Sequence, residues 1–440
     1  MEKYSLKRTF LLASVIFGMF FGAGNLIFPV HLGQLAGSNW WLAAIGFILS
    51  ATIAPYLAML AVAVTKSEGL YDIAKPVSRW FGLFMVAAVL MTLGPLFAIP
   101  RTAAVAFTTG IAPLMPVHSQ WLGLLIYSGV FFALAYYLTT KEGNLISWIG
   151  RWLNPLFLIA LLILFIVVFA LPMGGLQHSV SKAYQATPIV TGFLEGYNTM
   201  DGLSLLMFAF TIVFTVRGLG VKDERVAGEL VRAGFMAILL DGLIYLALII
   251  MGTSSLAHFK IAENGGQTLA QVIRYYAGDA GILFTAVLIT LAVFTTAMGV
   301  MQAFAQGMNK SFPRFSYLTY LRFAAIVAFL IANLGLTQII AWSTPMLMFL
   351  YPIGLPLIFL ALFSKFFDKA PIVYQLTIGF VAIPAILDGI ANAPVQNTFT
   401  TGLVAGYHQF IPYASLGLGW LIPGVIGFVL GFVIYKVRGK

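Results

Sequence analysis

Three short stretches of this 440-residue chain place polar residues, in two of them with glycines, among neighbours that are mostly apolar. The first is GMFFGAGNLIFP (residues 18–29), the second EGYNTMDG (195–202), and the third AVFTTA (292–297). Glycine and proline set among polar side chains interrupt a helix. A helix that unwinds and restarts offers free N–H groups and the positive end of a dipole to an anion, and released carbonyls to a cation or an ammonium group. A zwitterionic amino acid matches both. Gly18 and Gly22 taken alone also fit a GxxxG packing face, but Asn25 and the matching second stretch point to a break. The adjacent hydroxyls of Thr295 and Thr296 suit a small hard cation, or else bond back to the preceding turn's carbonyl.

Ionisable residues inside apolar segments are costly and mark function by default. They are Arg101, Glu195, Asp201, Asp241 and Asp388. Asp201 falls in the second break, where it could attract an ammonium group, support a cation, accept a proton, or simply cap the following half-helix. Arg101 requires an acid or a set of carbonyls, and Glu195 is a partner of matching depth. Asp241 and Asp388 read as structural. The chain has no Cys, and its five His are scattered without ligand spacing. No nucleophile and base pair and no phosphate-binding glycine loop stand out, so neither an enzyme nor an ATP-driven pump is expected, and no cofactor beyond a coupling ion.

The elements that must position these residues follow from composition. Hydrophobic residues make up 61% of the chain and charged ones 9%, with a mean hydropathy of +0.97. A soluble domain carries roughly 25% charged residues. The apolar runs are continuous rather than alternating, which predicts spanning helices of about 20 residues and not barrel strands. Twelve spans are expected, near 9–35, 40–64, 79–109, 121–139, 146–171, 189–217, 226–253, 279–308, 316–333, 338–363, 372–393 and 413–435. The whole chain, 1–440, is a single membrane domain. A more polar segment at 267–277 suits an outer-surface helix that could act as a lid, and 222–232 is a charged connector.

A formal charge of +10 would suggest nucleic acid in a soluble protein, but here it orients the chain. Lys and Arg cluster at 3–8, 66–79, 141–151, 217–232, 310–322, 365–369 and 436–440, all on one side if twelve spans alternate. Only Lys182, Lys260 and Arg274 fall on the other side. Both termini are therefore expected in the cytoplasm.

The broken spans one and six are five helices apart. Because five is odd, two five-helix halves run in opposite senses, and these two spans become equivalent members of an inverted repeat. The repeats are 9–171 and 189–363, followed by two helices at 372–435. That architecture favours a secondary transporter. An ion channel would want a continuous polar pore or charged ring.

The segments FGMFFGAGNLIFPVHLG, LYDIAKP (70–76), GPLFAIPRTA (94–103) and EGYNTMDGL closely resemble the branched-chain amino acid:cation symporter family, over essentially the whole chain. The resemblance implies a bacterial cytoplasmic-membrane protein with the LeuT-type five-plus-five inverted repeat. It further implies uptake of leucine, isoleucine and valine coupled to sodium, while Asp201 leaves room for the alternative of a proton-coupled transporter of the same or other neutral amino acids. The first stretch also resembles the neurotransmitter:sodium symporters. By that resemblance the carbonyls of Gly18, Phe21 and Ala292 and the hydroxyls of Thr295 and Thr296 form a sodium site. The N–H groups of Ala23, Gly24 and Asn25 receive the substrate carboxylate, and carbonyls over Tyr197, Asn198 and Thr199 its ammonium group. Phe21 and Tyr197 stand beside the breaks as pocket walls. The chain lacks the Arg that precedes Phe-Pro in those symporters, so their outer arginine gate does not carry over.

Overall fold

A computed structural model describes residues 6–140, 145–218, 221 and 223–438, and within them the regular elements are all helical. Lys3, Lys141, Lys222 and Lys440, used above to orient the chain, lie outside the described residues.

Each expected span is occupied by one helix or by helices in tandem. Span one is α1 (Leu6–Phe20) and α2 (Ala23–Ala36); span two is α3 (Trp40–Ile48) and α4 (Ala54–Thr65), joined by a wide π turn. A short α5 (Leu70–Ala74) leads to span three, built from α6 (Arg79–Met91) and α7 (Ala98–Ala106). Spans four and five are α8 (Gln120–Thr140) and α9 (Leu145–Ala170). After α10 (Lys182–Ala186), span six is split into α11 (Pro188–Glu195) and α12 (Asp201–Gly218), and span seven is α13 (Asp223–Ser255). The expected surface helix and span eight form α14 (Gly265–Ser311), bent where Gly278 takes a φ of 58°. Spans nine to eleven are α15 (Tyr317–Ala332), α16 (Leu336–Leu362) and α17 (Pro371–Ala391), and α18 (Thr398–Phe410) precedes α19 (Leu421–Arg438). Among the described residues, eight segments are individually long and apolar enough to cross a membrane, with shorter apolar helices at Leu158–Ala170 and Tyr317–Ala332.

Two expectations need correction. Span three is not continuous: Gly94 has non-helical angles (φ −93°, ψ −124°) and Pro95 offers no N–H, so a third interruption separates α6 from α7. Span twelve starts at Leu421 and not near 413, because Tyr413 and Gly417 adopt left-handed conformations that end any helix there. The preceding α18 was not expected, although Asn397 caps it by accepting a hydrogen bond from the Thr400 N–H at 2.9 Å.

The helices sort into two groups. α1–α4 pack with α11, α12 and α13. The contact is backbone to backbone: a Cβ on Gly33 would lie 2.1 Å from the Ile249 carbonyl oxygen, and one on Gly252 1.9 Å from that of Val30. Small residues allow such approach where lipid removes the hydrophobic drive between helices. In the second group α14 packs with α7, α8, α9 and α15. α16 leans on α4 and α12 and carries α17, which in turn packs on α19.

Loops expected on one side of the membrane touch each other. At one end Lys310 Nζ meets Glu68 Oε2 at 2.8 Å, and the Tyr435 hydroxyl donates to Asp368 at 2.7 Å. At the other, Ser38 donates to the His178 carbonyl at 2.8 Å and Asn264 Nδ2 to Thr337 Oγ1 at 3.0 Å.

Candidate functional site

Both expected breaks are present, and they are made differently. In span one, Gly22 is extended (φ −125°, ψ −168°) and its N–H donates to Asn25 Oδ1 at 3.1 Å, so the asparagine three residues on closes the break from its own chain. Pro29 supplies no amide for the Asn25 carbonyl, which an uninterrupted helix would have used. In span six, a tight 3-10 turn over Gly196–Thr199 ends in Met200, a left-handed residue (φ 66°) from which a helix cannot continue. Thr199 Oγ1 donates to the Gly196 carbonyl at 3.0 Å and accepts from the Asp201 N–H at 3.4 Å, restarting the helix.

The breaks meet. Asn25 Nδ2 donates to Asp201 Oδ2 at 2.8 Å, and the Tyr245 hydroxyl of α13 donates to the same oxygen at 3.3 Å while accepting a short hydrogen bond from Asn25. Since Asn25 Oδ1 is committed to Gly22, its NH2 must face Asp201 and Tyr245, which fixes the orientation of the amide. Both Asn25 and Asp201 are almost fully buried.

Arg101 of α7, only 3% exposed, reaches the same place from the second group. It donates through Nη1 to the Asn198 carbonyl at 2.6 Å and through Nη2 to Ser343 Oγ of α16 at 3.0 Å, and its guanidinium carbon lies 4.9 Å from the centre of the Phe28 ring. Glu195, its partner expected by depth, is not in direct contact but lies within electrostatic reach, and the contacts of the buried cation are a carbonyl, a hydroxyl and an aromatic face. Tyr197 stacks on Tyr351 of α16, with ring centres 4.1 Å apart and planes 7° from parallel. Among the carbonyls expected for an ammonium group, that of Asn198 holds Arg101 and that of Tyr197 holds the Met200 N–H at 3.0 Å.

Above this layer lies a cavity of about 340 Å³ whose wall includes Phe28, His31, Glu195, Asn198, Asn264 and Thr344. Glu263 and Asn264, which lead into the surface helix at the start of α14, line it. That helix is tied to span one through the fully buried Gln34, which accepts from Thr268 Oγ1 at 3.0 Å and donates to Ser255 at 2.9 Å.

Of the residues expected to hold sodium, Ala292, Thr295 and Thr296 share one turn of α14. Both hydroxyls donate to the Ala292 carbonyl, at 2.8 and 3.2 Å. Their oxygens keep lone pairs in that arrangement, so the donor set suits a hard cation as well as a back-bonded helix. Gly18 is exposed and Phe21 stacks on Phe17 with ring centres 4.8 Å apart. α1, which carries Gly18, packs chiefly on α12 and α13, whereas α14 has α2, α7, α8, α9 and α15 as neighbours. Asp388 of α17 receives a hydrogen bond from Tyr407 of α18 at 2.9 Å, one helical turn before Asn392 in the cavity wall. Tyr245, Ser343, Phe28 and Tyr351 were not singled out from the sequence, since apolar helices supply many aromatics and hydroxyls with nothing local to distinguish these.

Two facing broken helices within a pair of packed helical groups define a membrane transporter fold of the LeuT type. Mhp1, a nucleobase-cation-symport-1 family transporter, shares it: its closed, bromovinylhydantoin-bound structure superposes with a TM-score of 0.60 at 13% identity, over 98% of this chain and 93% of that one. Its inward-facing structure gives 0.60 at 15% identity, over 98% and 91%. A family profile described as "Branched-chain amino acid transport protein" matches residues 5–438, and the chain belongs to that family. Similar proteins include the branched-chain amino acid permease BrnQ of Lactobacillus delbrueckii subsp. lactis, 37% identical over 98% of this chain and 97% of its own. The permease BraB of Bacillus subtilis (strain 168) is 35% identical over the same shares. The branched-chain amino acid transport system 2 carrier protein of Pseudomonas aeruginosa is 36% identical over 98% and 96%.

Proposed function

We propose that this chain is a secondary active transporter that imports leucine, isoleucine and valine together with sodium, by alternating access to a site between spans one and six. The observation that carries this reading is the Asn25–Asp201 hydrogen bond, which joins two broken helices beneath a cavity. The substrate carboxylate docks on the N–H groups of Ala23, Gly24 and Asn25. Its ammonium group turns to the 197–199 turn and Asp201, and Phe21 and Tyr197 flank the aliphatic chain. The names of the relatives favour these three substrates, and because one methylene is worth only about 1–3 kcal/mol in an apolar pocket, they compete. Sodium sits on Ala292, Thr295 and Thr296, completed by the Gly18 and Phe21 carbonyls when α1 swings toward α14. The repeats are 9–171 and 189–363, and their equivalent spans one and six, two and seven fall in the same packed group. Both termini lie in the cytoplasm of a bacterium, on the side where Lys and Arg cluster. No residue is given a catalytic role.

The test is uptake of labelled leucine into proteoliposomes under an imposed sodium gradient or an imposed proton gradient. Accumulation with sodium, reduced by excess isoleucine or valine, is the expected result. The double substitution Thr295→Ala, Thr296→Ala then raises the sodium concentration needed for half-maximal uptake; an unchanged sodium dependence removes the pair from the site. Accumulation with protons alone moves the coupling role to Asp201, and no accumulation with either gradient defeats the substrate assignment.

A further inference from the structure

Asp241 lies on α13 one helical turn before Tyr245, so the two side chains share a face, and that face meets Asn25 and Asp201. It is fully buried, and neither of its carboxylate oxygens has a partner in good hydrogen-bond geometry, the Tyr245 hydroxyl being the one polar side chain that reaches toward it while its own hydrogen bonds go to Asn25 and Asp201. Asp201 is close enough to repel it, and among the described residues Asp201 and Tyr245 are the titratable groups that face it. The polar groups of the neighbouring elements are engaged elsewhere: Thr52 and Ser50 of span two donate to the Ile48 and Phe193 carbonyls, at 2.6 Å each, and Tyr56 of α4 donates to the Val231 carbonyl at 3.0 Å. A bare carboxylate in such a place is too costly to persist and is neutralised by a bound cation or proton.

The chemistry of the surroundings selects between these. A hard metal ion wants a cage of oxygens. Here Asn25 is held by Gly22 so that its NH2, not its oxygen, points into the cluster. The Tyr245 oxygen accepts from that NH2 and its proton goes to Asp201. Two neighbouring buried carboxylates cannot both ionise, and a single proton resolves the conflict.

We propose that Asp241, facing Asp201 across Tyr245, is a proton-binding site distinct from the sodium site, loaded when the two broken helices are joined through Asn25 and emptied as they part. Asp201 keeps its charge, stabilised by Asn25 and Tyr245, and Asp241 carries the proton. The proposal rests on the transport reading above and adds a second coupled cation to it.

Two measurements test it, on the full-length protein. In proteoliposomes at saturating sodium, the half-saturating leucine concentration of the wild type rises on the alkaline side by about tenfold per pH unit, as obligatory binding of one proton demands. Asp241→Asn, which carries the neutral form permanently, removes that slope; a slope that survives the substitution overturns the proposal. Independently of transport, infrared difference spectra between acid and alkaline buffer show a protonated-carboxyl band in the wild type that is absent from Asp241→Asn. The same band in both proteins overturns the proposal, whether or not the variant transports. Loss of one labelled sodium per leucine in Asp241→Asn, with no protonated-carboxyl band in the wild type, makes the pair a metal-ion site and overturns it as well. A band that depends on Asp241, in a wild type that takes up no leucine, supports the proton site and defeats the substrate assignment.

Discussion

The two broken helices solve one problem by different means. Span one breaks and is closed by its own residues: Gly22 takes an extended conformation and Asn25, three positions later, reaches back to it. Span six closes locally through Thr199 and is held from outside as well, by Arg101 of α7 on the Asn198 carbonyl and by Asn25 and Tyr245 on Asp201. A self-closed break can move with its own helix group and keep its shape. One clamped by a side chain from the other group depends on how the groups are placed, so on the proposed rocking of one group against the other the span-six turn would change more than the span-one break.

Arg101 is where the comparison breaks most easily. Arg101→Gln strips a charged donor from both Asn198 and Ser343, and each hydrogen bond to a buried charged group is worth about 1.5–3 kcal/mol. The expected outcome is loss of leucine uptake together with a marked drop in the thermal unfolding midpoint of the detergent-solubilised protein. Arg101→Lys restores little, because an ammonium group does not reproduce the fork that spans two acceptors. If Arg101→Gln transports and melts like the wild type, the span-six turn is not clamped from outside.

Asn25→Ala touches both breaks at once. The closure of span one goes, at a cost of about 1 kcal/mol for a lost cap, and Asp201 loses a donor, adding about 1–3 kcal/mol for a buried charge left short. Uptake falls strongly, while stability falls less than for Arg101→Gln. The reverse order in the melting experiment would mean that span one, and not span six, depends on its partner. A smaller effect is expected from Thr199→Val, which keeps the shape and removes the hydroxyl bonded to Gly196 and Asp201. Two neutral hydrogen bonds, the longer of them weak, are together worth about 1–2 kcal/mol, so the midpoint shifts modestly and transport persists at reduced rate. A fall as large as that of Arg101→Gln would show that span six, too, closes chiefly on itself.

What could be read ahead of the structure follows the same division. The span-one break was legible because everything that makes it is local, glycines and an asparagine at cap spacing. The span-six break was legible as a polar interruption, but its clamp was not: Arg101 and Ser343 come from helices far away in sequence, and nothing in an apolar run says which hydroxyl an arginine will meet. The helices themselves were legible because hydropathy acts over whole segments, and each expected span is occupied by one helix or by helices in tandem. The Gly94–Pro95 interruption carried a local signal and was read through, since a single Gly-Pro in a long apolar helix resembles an ordinary kink. Tyr245 could have drawn attention only through Asp241, one turn before it on the same helix.

The finest test concerns the open side of span one. A Cβ at Gly24 would sit 3.4 Å from the Phe28 ring and 3.6 Å from Arg101 Nη1, which is ordinary van der Waals contact, and α2 is already helical there. Gly24→Ala therefore leaves the fold alone, with a stability change within about 0.5 kcal/mol. It does not leave the site alone if the N–H groups at the start of α2 receive the substrate carboxylate, because the new methyl stands between that helix start and the guanidinium. The expected result is a several-fold rise in the half-saturating leucine concentration with an unchanged melting midpoint. Unchanged affinity in a variant that folds normally would move the carboxylate away from Gly24, and would leave the self-closed break of span one as scaffolding for the clamped break of span six.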